Sequence, residues 1–274
     1  MTDLSDLKTI EVFDLEQLLS PYSVSEFLTS HWPEAFLYLE GNGKRLAAPL
    51  SIRELTDVEN LARVCKRDVI LWPPKNGNTS LHEHVADQSC PPNLALGFYD
   101  AGVTLYFTQV ESYVLPIRQM LRSIENDLRL SPGTMECEIF ASRKGSGTPV
   151  HFDHEINFNI QLKGKKRWTI AKNTSAPSPL THFKIYDTPM GDLASYWEGP
   201  VLNEIPSNSR SFLAEEGSLV FLPQGYWHST VCETDSLALS FVAKPPSWAS
   251  IVIKLIRAEL IKDERWRKRS MIQK

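Results

Sequence analysis

The chain has 274 residues, of which 42% are hydrophobic, 10% aromatic and 23% charged. This composition is typical of a folded globular protein, and it excludes intrinsically disordered and collagen-like chains. A count of 29 basic against 33 acidic residues gives a net charge of −4, which argues against a chain-wide basic surface for nucleic acid. No apolar run approaches the roughly 18–20 residues of a membrane helix, so we expect no membrane-spanning segment.

The amino terminus and the cysteines predict a cytoplasmic protein. The opening run MTDLSDLKTIEVFDL is acidic and lacks the basic stretch and apolar core of a signal peptide. The cysteines are scattered, without a Cys-x-x-Cys pair, so we expect buried reduced thiols rather than a zinc knuckle, a redox pair or a disulfide scaffold. They are Cys65, Cys90, Cys137 and Cys232.

Residues 1–130 are predicted to form a helical and mixed segment that packs on a barrel. We expect two short helices within residues 11–30 and short strands at Leu37–Leu39 and Val103–Phe107. The clearest helix follows, because apolar residues recur at three- or four-residue spacing until the turn at residues 131–133. This stripe, which indicates core packing, consists of Val114, Ile117, Met120, Leu121, Ile124 and Leu128.

Residues 131–246 are predicted to form a mainly β domain. Short runs rich in β-branched and aromatic residues are separated by turns, without helices between them, which favours an antiparallel sandwich or barrel. Residues 173–210 contain five prolines and little periodicity, and we interpret them as an insertion over one end of the barrel. The predicted strands are Glu136–Ser142, His151–Leu162, Lys166–Ala171, Ser218–Leu222, Ser229–Glu233 and Ser236–Ala243.

Residues 247–274 are predicted to form a carboxy-terminal helix. The segment Trp248–Lys262 is apolar around most of its circumference, with only a narrow polar stripe. A helix of this kind needs more than one packing partner. We therefore expect it to pack on the barrel and to join two copies of the chain in a homodimer.

The predicted strand His151–Leu162 carries the first candidate metal ligands. Its odd-numbered side chains are polar and its even-numbered ones are almost all apolar, as on a strand with one polar face. His151 and Asp153 share the polar face at the spacing that two adjacent ligands of one metal require. Imidazole plus carboxylate suits Fe(II), Mn or Zn, although a His-x-Asp pair alone is a weak signal.

A second segment supplies His228 as a third candidate ligand. It follows the turn at residues 223–226, which would aim the imidazole back into the barrel. Two imidazoles and one carboxylate on one face of a metal leave three positions open, as in non-haem Fe(II) oxygenases. A structural zinc site would need a fourth ligand, for which Cys232 and His154 are candidates, although His154 lies on the other strand face.

A lysine-rich turn supplies a candidate anion-binding residue. Of its three lysines, we interpret Lys163 and Lys165 as surface residues and Lys166 as a cation that points into the cavity. A buried ammonium group beside open metal positions needs an anion, and a dicarboxylate co-substrate would provide one.

Taken together, these motifs resemble those of the JmjC-type cupin hydroxylases, Fe(II)- and 2-oxoglutarate-dependent oxygenases built on a double-stranded β-helix. Features around the long helix and at the chain end are similar to the ribosomal-oxygenase branch, and the resemblance covers roughly residues 90–270. The motifs are the run from Thr148 to Asp153, then Asn157, Gln161, Gly164, Lys166 and Trp168, and the run from Leu222 to His228.

The resemblance implies a jelly-roll fold and a role for each matched residue. It implies that His151, Asp153 and His228 bind Fe(II), with O2 and the co-substrate 2-oxoglutarate at the remaining positions. It also implies that Lys166 pairs with the distal carboxylate of 2-oxoglutarate and that Thr148 hydrogen-bonds the same carboxylate.

Two further positions match less specific parts of the pattern. The resemblance implies that Asn157 helps to orient the co-substrate, and Ser240 is a weaker candidate for the same site. The larger ribosomal oxygenases continue into a helical dimerisation region and a winged-helix domain, whereas this sequence ends after one long helix. His82-Glu83-His84 can also bind a metal, but we interpret it as a surface loop motif.

The resemblance implies hydroxylation of an unactivated carbon in a protein or peptide side chain. An alternative is a hydroxylase of small amino-acid metabolites. A second alternative is a metal-binding cupin that isomerises or binds a ligand, which would have no use for Lys166. A third is an inactive barrel that serves as a dimeric scaffold.

Overall fold

The computed structural model describes residues 13–72 and 88–269. The His82-Glu83-His84 motif and the predicted start of the first helix lie outside these residues. Within them, no helix is long and apolar enough to cross a lipid bilayer.

Two antiparallel sheets form the centre of the fold. A large sheet has the strand order β1-β11-β7-β13-β5-β4-β2-β3, and a small sheet has the order β10-β8-β12-β6-β9. The strands are β1 (Leu37–Leu39), β2 (Val69–Trp72), β3 (Ser89–Cys90), β4 (Thr104–Phe107), β5 (Met135–Ser142), β6 (His151–Phe152), β7 (Ile156–Lys163), β8 (Lys166–Ala171), β9 (Phe183–Lys184), β10 (Arg210–Ala214), β11 (Leu219–Leu222), β12 (Trp227–Cys232) and β13 (Ser236–Ala243).

Helices precede and follow the strands, so the prediction of a mainly β jelly-roll fold with helices at both ends is confirmed. Two single 3₁₀ turns lie at Arg53–Leu55 and Val110–Ser112. The helices are α1 (Leu15–Leu19), α2 (Val24–Ser30), α3 (Lys44–Ser51), α4 (Val58–Val64), α5 (Pro92–Asp100), α6 (Leu115–Asp127), α7 (Gly191–Ser195), α8 (Trp248–Leu260) and α9 (Glu264–Arg267).

The main core lies between the large sheet and the amino-terminal helices. Side chains of α6 at the predicted apolar spacing are buried in it, including Ile117, Met120 and Ile124. Phe27 of α2 packs against Phe158 of β7 and Phe221 of β11, with ring centroids 5.9 and 4.9 Å apart. Helices therefore cover one face of the large sheet, which leaves its other face to meet the small sheet.

The predicted strand His151–Leu162 is divided in the structure. Residues 153–155 leave the ladder because the chain crosses there from β6 in the small sheet to β7 in the large sheet. Polar and apolar side chains still alternate in β7, after the chain has changed sheets. Asn157 and Asn159 face the space between the sheets, whereas Phe158 faces the core.

The insertion at residues 173–210 contains more structure than the sequence indicated. Its strand β9 pairs with β6, and the short helix α7 follows. β10, just after it, pairs with β8 at the edge of the small sheet. These elements are two to five residues long, too short for a hydrophobic period to reveal.

The chain divides into two compact units, residues 1–244 and residues 245–274. The second unit contains α8 and α9. Helix α8 begins at the cap residue Ser247, whose hydroxyl accepts a hydrogen bond from the Ser250 amide at 3.1 Å. None of its side chains is buried, and Trp248 is 82% exposed.

We expect Gly147→Ala to lower the free energy of unfolding by about 2 kcal/mol. A Cβ atom at this position would lie 2.0 Å from the Thr230 carbonyl oxygen, so the backbone beside β12 would have to move. Gly97→Ala is the control, because no atom of the described residues lies within 4 Å of a Cβ there and alanine favours the helix. Chemical denaturation measures both variants, and equal stability of the two would contradict the packing described.

Candidate metal and co-substrate site

The two candidate imidazole ligands are direct neighbours across the small sheet. His151 of β6 pairs with His228 of β12, and their ring centroids are 4.0 Å apart. The Nδ1 atom of His151 lies 2.8 Å from the Pro149 carbonyl oxygen, and that of His228 lies 3.0 Å from the Tyr226 carbonyl oxygen. A carbonyl can only accept, so each Nδ1 carries the proton and each Nε2 keeps a lone pair for a metal.

The turn before β12 holds the carboxylate ligand beside these rings. The Gly225 amide donates a hydrogen bond to the Asp153 carbonyl oxygen at 2.8 Å. The Asp153 carboxylate oxygens lie 3.9 Å from Nε2 of His151 and 3.6 Å from Nε2 of His228. One ligand atom from each of the three residues lies within 4.8 Å of the other two.

Electrostatics favour the protonation states that a metal site needs. Burial favours the neutral form of Asp153, but the facing imidazoles of His151 and His228 outweigh it and lower the pKa of the carboxyl group. Burial, with a smaller contribution from His151, lowers the pKa of His228 to about 4. An ionised carboxylate and a neutral imidazole are therefore ready to coordinate a cation near neutral pH.

The donor set fits a divalent transition metal with open coordination positions. Among the described residues, no fourth His, Cys, Asp or Glu joins the group. His154 pairs instead with Glu155 at 3.2 Å, and Cys232 lies opposite Lys166 in the β12–β8 ladder. Three protein ligands of mixed nitrogen and oxygen type match a catalytic site better than a structural zinc site, which requires four.

Lys166 of β8 is a buried cation that lines the same cavity. Its side chain is almost fully enclosed, and burial lowers the pKa of the ammonium group. Within the described residues, no carboxylate lies within 4.0 Å of its Nζ, which lies 5.9 Å from the centre of the Phe140 ring. Lys165, by contrast, is exposed and pairs with Glu215 at 2.6 Å, and Lys163 is exposed as well.

The cavity between the sheets has a volume of about 320 Å³, and the remaining candidate residues line it. The Thr148 hydroxyl lies 2.9 Å from the Thr230 hydroxyl, on the small-sheet side. Asn157 and Ser240 belong to the large sheet. All seven candidate site residues therefore face one cavity: Thr148, His151, Asp153, Asn157, Lys166, His228 and Ser240.

Sequence reasoning missed part of the cavity wall. Polar and aromatic side chains from β2, β4, β5, β12 and the insertion line the cavity. The alternation of polar and apolar residues in β5 is the sequence signal that could have indicated Glu138. Strand β2 gave no such signal because it is only four residues long. The missed residues include Trp72, Tyr106, Glu138, His182, Lys184 and Thr230.

The chain is similar in sequence to a family model and to known proteins. Residues 117–251 match the family model of the JmjC domain. An uncharacterised Bacillus subtilis protein, YxbC, is 29% identical over 92% of this chain and 77% of its own length. The bifunctional lysine-specific demethylase and histidyl-hydroxylase NO66 of Drosophila persimilis is 22% identical over 88% of this chain, and ribosomal oxygenase 1 of Gallus gallus is 21% identical over 89%.

Solved structures show the same fold. Escherichia coli ycfD aligns with a TM-score of 0.56 at 16% identity and covers 92% of this chain. The ribosomal oxygenase YcfD in complex with cobalt and 2-oxoglutarate aligns with a TM-score of 0.54 at 17% identity and covers 88%.

The chain spans 60% of the ycfD structure, 33% of the Drosophila persimilis protein and 39% of the Gallus gallus protein. The match to the JmjC family model, however, includes β5 to β13 and thus all seven candidate site residues. Residues 117–251 of this chain are therefore similar to the JmjC domain family.

Proposed function

We propose that the chain is an Fe(II)- and 2-oxoglutarate-dependent oxygenase that hydroxylates an unactivated carbon of a protein or peptide side chain. One observation carries this proposal. A three-ligand group with open positions and a buried ammonium group without a carboxylate partner, among the described residues, line the same cavity. An isomerase or a simple binding cupin would have no need of the second feature.

His151, Asp153 and His228 would hold Fe(II), and Lys166 with Thr148 would hold the distal carboxylate of 2-oxoglutarate. The bound iron and 2-oxoglutarate supply the activation of O2 that allows an unreactive C–H bond to be oxidised. The buried Lys166 ammonium compensates the carboxylate charge in a region of low dielectric, which makes the pair strong and specific. Asn157 would orient the co-substrate from the opposite sheet.

The remaining work of the protein is positioning and exclusion of water. The Nδ1 hydrogen bonds fix the rotation of both imidazoles, and aromatic rings pack beside them. Trp72 lies 5.8 Å from His151, and Trp168 lies 5.9 Å from His228, measured between ring centroids. These rings make one side of the proposed metal site apolar. Their packing helps to hold the two imidazoles in place beside the cavity.

A protein or peptide substrate is favoured by two observations. The names of two similar proteins describe a histidyl-hydroxylase and a ribosomal oxygenase. A cavity of about 320 Å³ also accommodates a co-substrate and a single side chain, rather than a large free molecule. A hydroxylase of small amino-acid metabolites is the alternative that this volume also permits.

We further propose a cytoplasmic homodimer that is joined through the second unit. All four cysteines are free thiols, which suits a reducing compartment. Exposed apolar side chains of α8, α9 and the carboxy-terminal cap residue of α8 line a groove within this unit, namely Ile253, Ile256, Leu260, Ile261 and Trp266. The protruding Trp248 of a second copy provides an apolar group for such a groove, and a two-fold axis would satisfy both copies at once.

We expect His151→Ala to weaken Mn(II) binding by at least about tenfold, because one of three ligands is lost. His154→Ala is the matched control, since this histidine neither lines the cavity nor belongs to the three-residue group, and its loss should leave the affinity unchanged. Electron paramagnetic resonance of free Mn(II) measures both. Equal affinities in the two variants would contradict the assignment of the ligands.

Lys166→Ala should raise the dissociation constant of 2-oxoglutarate on the Mn(II)-loaded protein by about tenfold or more, because a charge-assisted pair is lost. Lys165→Ala, which removes a neighbouring surface lysine, should have no effect. Isothermal titration calorimetry measures both constants. Unchanged 2-oxoglutarate binding in the Lys166 variant, with Mn(II) binding intact, would assign the co-substrate to another group.

Ile253→Glu should convert the proposed dimer to a monomer, because a charge in the apolar groove opposes association. Lys254→Ala, on the same helix, should leave the dimer intact. Light scattering coupled to size-exclusion chromatography measures the molar mass. A wild-type mass of 31.1 kDa would refute the homodimer.

A further inference from the structure

The chain segment before β6 runs alongside β12 and extends the small sheet. The Thr148 amide donates a hydrogen bond to the Thr230 carbonyl oxygen, and the Thr230 amide donates one to the Thr148 carbonyl oxygen, both at 3.2 Å. One step further, the Cys232 amide donates to the Ser146 carbonyl oxygen at 2.8 Å. Thr148 and Thr230 are therefore a direct antiparallel pair whose side chains share one face, and both line the cavity.

This threonine pair lies beside the strand that carries Lys166. On its other side, Thr230 pairs with Trp168 of β8, and Cys232 pairs with Lys166. Lys166 and Trp168 are two residues apart, so their side chains share a face, and both line the cavity. Thr230 thus lies in the middle of the small sheet, between Thr148 and the strand of the proposed anion-binding lysine.

The direction of the hydrogen bonds between the two hydroxyl groups follows from their neighbours. The Thr148 amide also lies 3.0 Å from the Thr230 hydroxyl oxygen, and because an amide can only donate, this oxygen accepts. The two hydroxyl oxygens are 2.9 Å apart, and either can donate to the other. A carboxylate can only accept, so a Thr148 hydroxyl that binds one must use its own proton. The proton between the two hydroxyl groups must then come from Thr230.

The surroundings of Thr230 suit this single task. Its side chain is 4% exposed, and among the described residues the Thr148 hydroxyl is the one acceptor within hydrogen-bond distance of its proton. Hydrogen bonds that follow one another in a chain polarise each other, which strengthens the last donor. The Lys166 ammonium supplies charge but rotates freely, so a hydroxyl of fixed direction adds the orientation that it lacks.

We propose that Thr230 is a positioning residue that orients the Thr148 hydroxyl as a hydrogen-bond donor to the distal carboxylate of 2-oxoglutarate. This inference rests on the proposed function. The chain of donors runs from the Thr148 amide to the Thr230 hydroxyl, from there to the Thr148 hydroxyl, and from there to the carboxylate. Thr230 acts through Thr148, so its contribution to binding requires both the Thr148 hydroxyl and a carboxylate on the ligand.

The test compares 2-oxoglutarate with 2-oxopentanoate, in which a methyl group replaces the distal carboxylate. Water-proton relaxation of the Mn(II)-loaded protein measures the dissociation constant of each. Thr230→Val removes the hydroxyl and keeps the shape of the side chain, Thr230→Ala removes it with a smaller side chain, and Thr230→Ser keeps it. Thr169→Val is the matched control, because Thr169 belongs to β8 but does not line the cavity. Thermal melts verify that each variant is folded.

We expect Thr230→Val and Thr230→Ala to raise the dissociation constant of 2-oxoglutarate by about fivefold, because the Thr148 hydroxyl loses its orienting donor. The dissociation constant of 2-oxopentanoate should not change, since this ligand lacks the carboxylate. Thr230→Ser should restore 2-oxoglutarate binding to within about twofold of the wild type. Thr169→Val should bind both ligands as the wild type does.

A double-variant cycle tests whether Thr230 acts through Thr148. In a protein that already carries Thr148→Val, adding Thr230→Val should weaken 2-oxoglutarate binding no further. An unchanged 2-oxoglutarate affinity in both hydroxyl-free variants, an equal loss for the two ligands, or a full further loss in the double variant would overturn the inference and leave the proposed function standing. A wild-type protein that binds Mn(II) but not 2-oxoglutarate would overturn the proposed function, and this inference with it.

Discussion

The site depends on the pairing of two histidines across the small sheet. His151 and His228 are more than seventy residues apart in the chain, but the antiparallel register of β6 and β12 places their rings in contact. The hydrogen bond from the Gly225 amide to the Asp153 backbone carbonyl then holds the main chain of Asp153 beside them. The backbone contacts of β6, β12 and the turn before β12 thus bring the three proposed ligands together.

The two sheets contribute different polar side chains to the cavity. The small sheet and the adjoining turn contribute the histidines, Asp153 and the buried Lys166, whereas the large sheet contributes a row of paired residues, Asn159, Ser240 and Glu138.

Much of the fold could be predicted because apolar residues recur at regular spacing along many of its helices and strands. The α6 stripe and the strands Lys166–Ala171 and Ser236–Ala243 occur where apolar spacing indicated them. The shared location of Lys166 and the candidate ligands followed from strand alternation and a known motif. The sequence could not reveal the break at residues 153–155, since alternation of residue types continues across a change of sheet.

The place of Glu138 in the cavity wall could not be predicted for a different reason. Glu138 lines the cavity only because β5 lies next to β13 and β4, and pairing between strands that are distant in the chain leaves no local signal. Ser240 was a sequence candidate, but the lack of a hydrogen-bond partner for its hydroxyl among the described residues is a property of the packed structure. Short elements such as β9 and β10 are stabilised by neighbouring strands rather than by their own residue preferences.

The most direct measurement of the central claim is succinate formation from 2-oxoglutarate by the purified protein with Fe(II) and O2. The account predicts that wild-type protein forms succinate and that Asp153→Ala, which removes the only carboxylate of the proposed three-ligand group, forms none above the rate without protein. Succinate formation that persists in Asp153→Ala, or that is absent from wild-type protein, would contradict it.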